Sequence, residues 1–243
     1  MVIDKHLMKL RARDTISAAE EAFIRSGVRE IMKVRAGSTA VREGQRVNYS
    51  TILISGIAAR VQSMPDGTSQ ILELHVPGDF TDLHSFTLKY LDHDVVAISD
   101  CSLAVVPHAH LQEMTERFPH LTRVYWFGTN LDASINREWE VSLGSRDALS
   151  RMAHVFCELY IRFDLVDLVR GGTFDFPVTQ QQLAEMVGIT PVHANRTLQQ
   201  LRGKGLVEFA RGLATIPDLD RLMDVARFNP AYLYLERHTR GES

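Results

Sequence analysis

Between His75 and Asp94 the chain gathers imidazoles and carboxylates: His75, Asp82, His84, Asp92, His93 and Asp94, around a Pro77-Gly78-Asp79 turn. Imidazole nitrogen and carboxylate oxygen at alternating positions form a donor set for a metal or a haem iron. Asp82, His84 and His93 are the candidates for an effector site of that chemistry. The competing reading is that they are surface or core-satisfied polar groups, because ten histidines in 243 residues bring some together by chance. The two cysteines, Cys101 and Cys157, form no CxxC, so neither a disulfide framework nor a thiolate cluster is indicated. A lone Cys101 in a strand reads as a small buried hydrophobe sooner than as a redox switch.

A second constellation lies at PVTQQQLAEMVGITPVHANRTLQQLRGKGL, residues 177–206. Thr179 with Gln182 three positions on has capping-box spacing. Leu183, Met186 and Val187 give a short helix one apolar face, and Gly188 permits a tight turn. Thr190 caps a second helix, with Pro191 at its first position and an end near Arg202. Ala194, Leu198 and Leu201 share its inner face, while Val192, His193, Asn195, Arg196 and Gln199 share the outer one. Two short helices about a glycine turn make a helix-turn-helix, and GLVEFARGLATI then alternates like a hairpin, a wing, around Arg211-Gly212. Arg196, Arg202, Lys204 and Arg211 face only Glu208 within residues 188–213, a local basic patch that suits phosphates. The alternative is a structural helical hairpin with a solvated charged face.

The elements that would carry these groups fall into two textures. Short β-rich runs at 28–34, 50–55, 57–64, 71–76, 94–98 and 102–106 alternate with Gly and Pro turns, the pattern of a small barrel or sandwich. Helical runs flank them, at TISAAEEAFIRSG before and HAHLQEMTERFP after. From Leu121 a proline-free run follows, in which Val124, Gly128, Leu131, Ile135 and Glu138 keep 4-3-4-3 spacing. That is a coiled-coil-like seam, with a helix packed on its own domain as the alternative. Trp126 and Trp139 read as core or dimer contacts. A further helix at 145–166 precedes a Gly171-Gly172 break.

Bulk numbers bound the class. A hydrophobic content of 45% is ample for a core, and a net charge of −3 argues against indiscriminate coating of nucleic acid. No apolar run is long enough to span a bilayer, and the N-terminal residues lack a signal-peptide core. A soluble, cytoplasmic protein is expected.

The chain resembles the Crp/Fnr family of bacterial transcription regulators. The likeness rests on REGQ (42–45), ILISG (52–56), PDGTSQILELHVPGDF (65–80), LTRVYWFGTN, the tail FNPAYLYLE, and above all VTQQQLAEMVGITPVHANRTLQQLRGKGLV (178–207). The resemblance implies an α+β fold in three parts. An antiparallel, jelly-roll-like β-roll sensor with flanking helices occupies 1–120, a dimerisation helix 121–145, and a winged helix-turn-helix 146–243. It implies a homodimer on two-fold symmetric double-stranded DNA, with RNA polymerase as a further partner and no membrane. Val124, Gly128, Leu131 and Ile135 would form the dimer interface. Carried over by position, Val192, Asn195 and Arg196 read bases. Thr179, Gln180, Gln181, Thr190 and His193 hold phosphates, with Arg211 reaching from the wing.

Two departures set the sensor apart from its relatives. Members that bind cyclic AMP carry Gly-Glu-x-x-Leu and a later Arg-Ser/Thr-Ala, where the arginine holds the phosphate. Here GDFTDLHSFTLKYLDHDVVAI has no Gly-Glu, and Asp94-Val95-Val96-Ala97 stands where the arginine belongs. An aspartate there repels a phosphate. Iron–sulfur members need several cysteines. Neither a cyclic nucleotide nor an iron–sulfur cluster is expected, and the effector stays unknown. The rival function is a metal-dependent, cupin-like β-barrel enzyme, which lacks its His-x-His and leaves the helix-turn-helix unused.

Overall fold

The computed structural model describes residues 2–235. Met1 and residues 236–243, the end of the expected C-terminal part, lie outside the description. In chain order the elements are α1 (Asp4–Arg13), α2 (Ala18–Ser26), β1 (Glu30–Val34), β2 (Thr39–Val41), β3 (Tyr49–Ser55), β4 (Ala58–Ser63) and β5 (Ser69–His75). Then come α3 (Ser85–Leu88), β6 (Asp94–Ala97), β7 (Cys101–Pro107), α4 (His108–Arg117), α5 (Pro119–Ser145) and α6 (Ala148–Asp164). The last part holds β8 (Thr173–Asp175), α7 (Gln180–Val187), α8 (Pro191–Gly203), β9 (Glu208–Ala210), β10 (Leu213–Thr215), α9 (Leu219–Ala226) and a 3₁₀ turn (Pro230–Leu233).

The strands make an antiparallel roll of two sheets, ordered β1-β7-β3 and β2-β6-β4-β5. Val41, Leu53, Ala58, Leu91, Val95 and Leu103 fill the roll, alternating with outward residues as a half-buried sheet requires. The β2 strand and α1 are additions to the sequence reading. α1 lies against the turn before Phe80. Gly78 there has φ +98°, and a Cβ on it would meet Lys5 O at 2.7 Å, so only glycine permits that approach.

The roll and the C-terminal part share one apolar cluster, in which Ile57, Ile71, Leu74 and Val76 join Phe156, Phe174, Leu183 and Leu201. Polar bonds reinforce the join. Arg162 of α6 donates to Leu74 O (2.7 Å), to Asp79 (3.0 Å) and to Glu158 (2.9 Å). Glu158 also accepts from Trp139 (2.9 Å) and Tyr232 (2.8 Å). Gln70 of β5 donates to Glu185 O of α7. The helix-turn-helix is therefore docked on its own sensor.

The expected α5 seam is only partly exposed. Val124 is buried in the cluster formed with Leu7, Phe80, Leu111 and Leu121, and Ile135 in the shared interdomain cluster. Leu131 and Gly128 are half-buried. The protomer itself thus covers Val124 and Ile135, and leaves Gly128 and Leu131 partly open.

Candidate nucleic-acid interface and sensor interior

The helix-turn-helix is built from local signals. Thr179 Oγ1 accepts from Gln182 N (3.1 Å) and Gln182 Oε1 accepts from Thr179 N (2.8 Å), a reciprocal cap on α7. Gly188 ends α7 in the left-handed region, at φ +61°. Thr190 Oγ1 accepts from His193 N (3.3 Å), and Pro191 begins α8. Leu183, Ala184, Met186 and Val187 pack with Ala194, Leu198 and Leu201. The outer face is left to solvent. Val192 is 72% exposed, and Thr179, Gln180, Gln181, Thr190, His193 and Arg196 are exposed as well. Asn195 is half-buried, at the edge of that face. Gln181 donates to Glu185 (2.8 Å), and Arg202 to Phe209 O (2.8 Å), which ties α8 to the wing.

The wing is a tight hairpin. Ala210 pairs with Leu213, so Arg211 (φ +54°) and Gly212 (φ +77°) alone make the loop, a primed turn.

Inside the roll lies a charged network that sequence reasoning missed. Arg60 of β4 is buried and donates to Glu73 of β5 (2.8 Å), to Asp132 of α5 (2.8 Å) and to Thr81 O (3.3 Å). Asn136 of α5 donates to Glu73 (3.1 Å). Burial pushes the Glu73 carboxyl up, and the Arg60 guanidinium pulls it back.

Asp82, His84 and His93 gather beside this network. Asp82 Oδ1 accepts from Thr51 N (2.6 Å), while Oδ2 has no partner. Burial pushes this carboxyl up to about 6, partly offset by the Thr51 bonds. The His84 and His93 rings lie 5.3 Å apart, and the Nε2 atom of each is buried without a partner. Burial first, and Arg60 second, hold the His84 imidazole down at about 3. Among the described residues no group of three or more His, Cys, Asp or Glu is arranged to hold a metal. Asp94 sits at the roll's edge, where it accepts from Glu43 N (2.8 Å).

Two family descriptions match this chain: a Crp-like helix-turn-helix domain over residues 150–225 and a cyclic nucleotide-binding domain over 31–118. The transcriptional activator FnrL of Cereibacter sphaeroides is 24% identical over 212 residues, covering 86% of this chain and 85% of FnrL. The nitrogen fixation regulation protein FixK of Bradyrhizobium diazoefficiens is 25% identical over 193 residues, 79% of each chain. The solved structure of FixK2 from Bradyrhizobium japonicum shares the fold at a TM-score of 0.73 and 22% identity, over 81% of this chain and 96% of that one.

The chain belongs to the Crp/Fnr family.

It is therefore a DNA-binding transcriptional regulator and not an enzyme, and the cupin-like reading has no support. In this Crp/Fnr regulator the outer stripe of α5 has its own period. Arg123, Trp126, Asn130, Ala133, Arg137 and Glu140 are exposed, and Trp126 is 65% exposed. They lie at heptad spacing, two residues out of register with the expected seam. The sequence held this signal, but its polar members hid it.

Arg211 is exposed, yet it borders a cleft of about 390 Å³ between the wing and the roll, with Lys5, Gly56, Pro77 and Ser99 on the far wall. In this conformation of the regulator, the wing tip faces its own sensor.

Proposed function

We propose that this Crp/Fnr regulator works as a homodimer on two-fold symmetric double-stranded DNA, with α8 in the major groove. The exposed outer face of α8 carries the reading: a capped helix that presents Val192 and Arg196 while its other face is buried. Arg196 and Val192 read base edges, and Asn195 reaches them from the margin. Thr179, Gln180, Gln181, Thr190 and His193 hold phosphates, joined by Arg211 once the wing leaves the roll. The α5 stripe around Trp126 and Ala133 pairs two protomers, so that residues 1–120 sense, 121–145 dimerise and 146–243 bind DNA. RNA polymerase is the downstream partner and the cytoplasm the compartment. Among the described residues no helix is long and apolar enough to cross a membrane.

The signal is not a cyclic nucleotide, because the buried guanidinium in the roll is already held by two carboxylates. It is not an iron–sulfur cluster either. The chain has only two cysteines, Cys101 and Cys157, both buried, fewer than such a cluster needs. Asp82, His84 and His93 form the effector-responsive group, supported by the unpartnered buried atom on each.

The test is selection of binding sites from random duplexes by the purified protein. The expected result is a palindrome whose half-sites are centred about one helical turn, ~34 Å, apart. Failure to enrich any sequence overturns the reading.

A further inference from the structure

A cavity of about 190 Å³ lies between α1, the turn at Gly78–Phe80 and α5. None of Arg60, Glu73, His75, His84 or His93 lines it, and it adjoins the roll's charged network only at Asp132. Its walls are largely apolar and aromatic, with Phe80, Val124, Tyr125, Phe127, Leu131 and Tyr234 among them. For scale, an apolar cavity of about 150 Å³ takes up benzene.

Three cations, Lys9, Arg13 and Arg123, and three acids line it, but the acids form their ion pairs mostly with groups outside the walls. Each lining acid is already engaged: Asp14 with His120, Asp79 with Lys9 and Arg162, and Asp132 with Arg60. Arg13 on the α1 wall has no carboxylate within ion-pair distance among the described residues. Its guanidinium stacks over Phe127, 5.6 Å from the ring centroid, and donates to Leu233 O (3.2 Å), while its buried Nε has no partner. Burial holds the Arg13 pKa below its ordinary value, and the Asp79 carboxylate, already shared by Lys9 and Arg162, offsets that only in part. A mostly buried cation beside an aromatic cavity is costly unless an anion joins it. Gly128 of α5 leaves the cavity open, since a Cβ there would meet nothing within 4 Å.

We propose that this cavity binds a small carboxylic acid with an apolar body, the carboxylate on Arg13 and the body against Phe127, Tyr125 and Leu131. An arginine fork pairs with a carboxylate in bidentate fashion, and the aromatic walls take the rest. The site joins three parts of the molecule. Arg13 belongs to α1, Phe127 to α5, and Leu233 and Tyr234 follow α9 of the DNA-binding part. An acid seated there competes with the Leu233 carbonyl for the same guanidinium, and so acts on the contact between tail and sensor.

The experiment is calorimetric titration of the full chain with 3-phenylpropionate and octanoate, with their neutral amides as controls. Both acids are expected to bind at submillimolar concentration and the amides at least tenfold more weakly. Arg13→Met keeps the apolar stem and should weaken the acids by tenfold or more. Gly128→Leu fills the cavity, improves helix propensity and should abolish binding while the melting temperature holds or rises. No acid binding at millimolar concentration, or equal affinity in both variants and wild type, overturns the proposal. The readout needs no DNA, so this outcome is independent of the operator selection.

Discussion

Arg60 on β4 and Asp132 on α5, 72 positions apart, meet at 2.8 Å inside the protein, and Glu73 completes the pair at the same distance on the other side of the guanidinium. One arginine thus ties the sensor sheet to the long helix. Removing it strands the buried Glu73 and the half-buried Asp132, the costly half of any buried ion pair. Arg60→Leu should lose about 3–5 kcal/mol of stability in urea unfolding. Arg60→Leu combined with Glu73→Gln should recover part of that loss. A single variant within 1 kcal/mol of wild type would show that water reaches these groups.

The same network bears on cyclic nucleotides. A cyclic phosphate entering the roll would have to take Arg60 from two carboxylates, each at 2.8 Å, and lie beside them. Titration with cyclic AMP or cyclic GMP should therefore release no heat at micromolar concentrations. Micromolar affinity for either would mean that the roll opens around its own ion pairs.

Asp82 makes stability depend on pH in a defined direction. Its carboxyl is pushed from 3.8 up to about 6 by burial. Between those values the folded chain holds more protons than the unfolded one, so stability falls as pH rises through that window and stays reduced above it. At about 1.4 kcal/mol per pKa unit, the reduction is on the order of 2–3 kcal/mol. Asp82→Asn keeps an acceptor for Thr51 and cannot ionise. It should melt higher than wild type at pH 8, with the gap closing towards pH 4. A gap that does not change with pH would mean that Asp82 is charged throughout.

What the sequence made legible was local. The helix-turn-helix was readable because Thr179, Gln182, Gly188, Thr190 and Pro191 each act on backbone within a few residues. Arg60 was not. In an alternating strand it reads as an outward polar residue, and its partners come from β5 and from a helix 72 positions away. Asp82, His84 and His93 were singled out by proximity in sequence, and the fold buries Asp82 and His93, half-buries His84 and brings the two rings within 5.3 Å. Whether an effector meets them is a question of space and charge that residue types do not encode. The three-residue β2 is too short to show a period.

The α5 seam shows how a helix can mislead. Its apolar 4-3 pattern at Val124, Leu131 and Ile135 serves the protomer's core, while the exposed stripe proposed to meet a partner mixes Trp126 and Ala133 with Asn130 and Arg137. Trp126→Glu with Ala133→Glu should give folded monomers in sedimentation, with a melting temperature set by the protomer alone and DNA binding greatly weakened. Ile135→Asp should instead unfold the protomer, because a charge enters a packed cluster. If the first variant stays dimeric, the stripe is not the interface.

On the proposed reading, the helix-turn-helix divides its work between base and backbone. Arg196 is exposed in the second turn of a groove-sized helix, and among the described residues no hydrogen bond or ion pair holds it back. Arginine pairs bidentately with guanine, whereas Val192 at the helix start can only touch a thymine methyl. Many family members resemble one another in placing a glutamate where Val192 stands, and valine cannot accept a hydrogen bond from cytosine. The half-site should differ from theirs at that base pair. Arg196→Ala should lose about 1–3 kcal/mol and relax preference at one guanine in each half-site. Gln181 donates to Glu185 (2.8 Å), which holds its amide along α7. Gln181→Ala should weaken all sequences alike, by less than the arginine variant. Site selection with both variants beside wild type separates the roles, and an unchanged motif for Arg196→Ala would assign that arginine to the phosphate backbone.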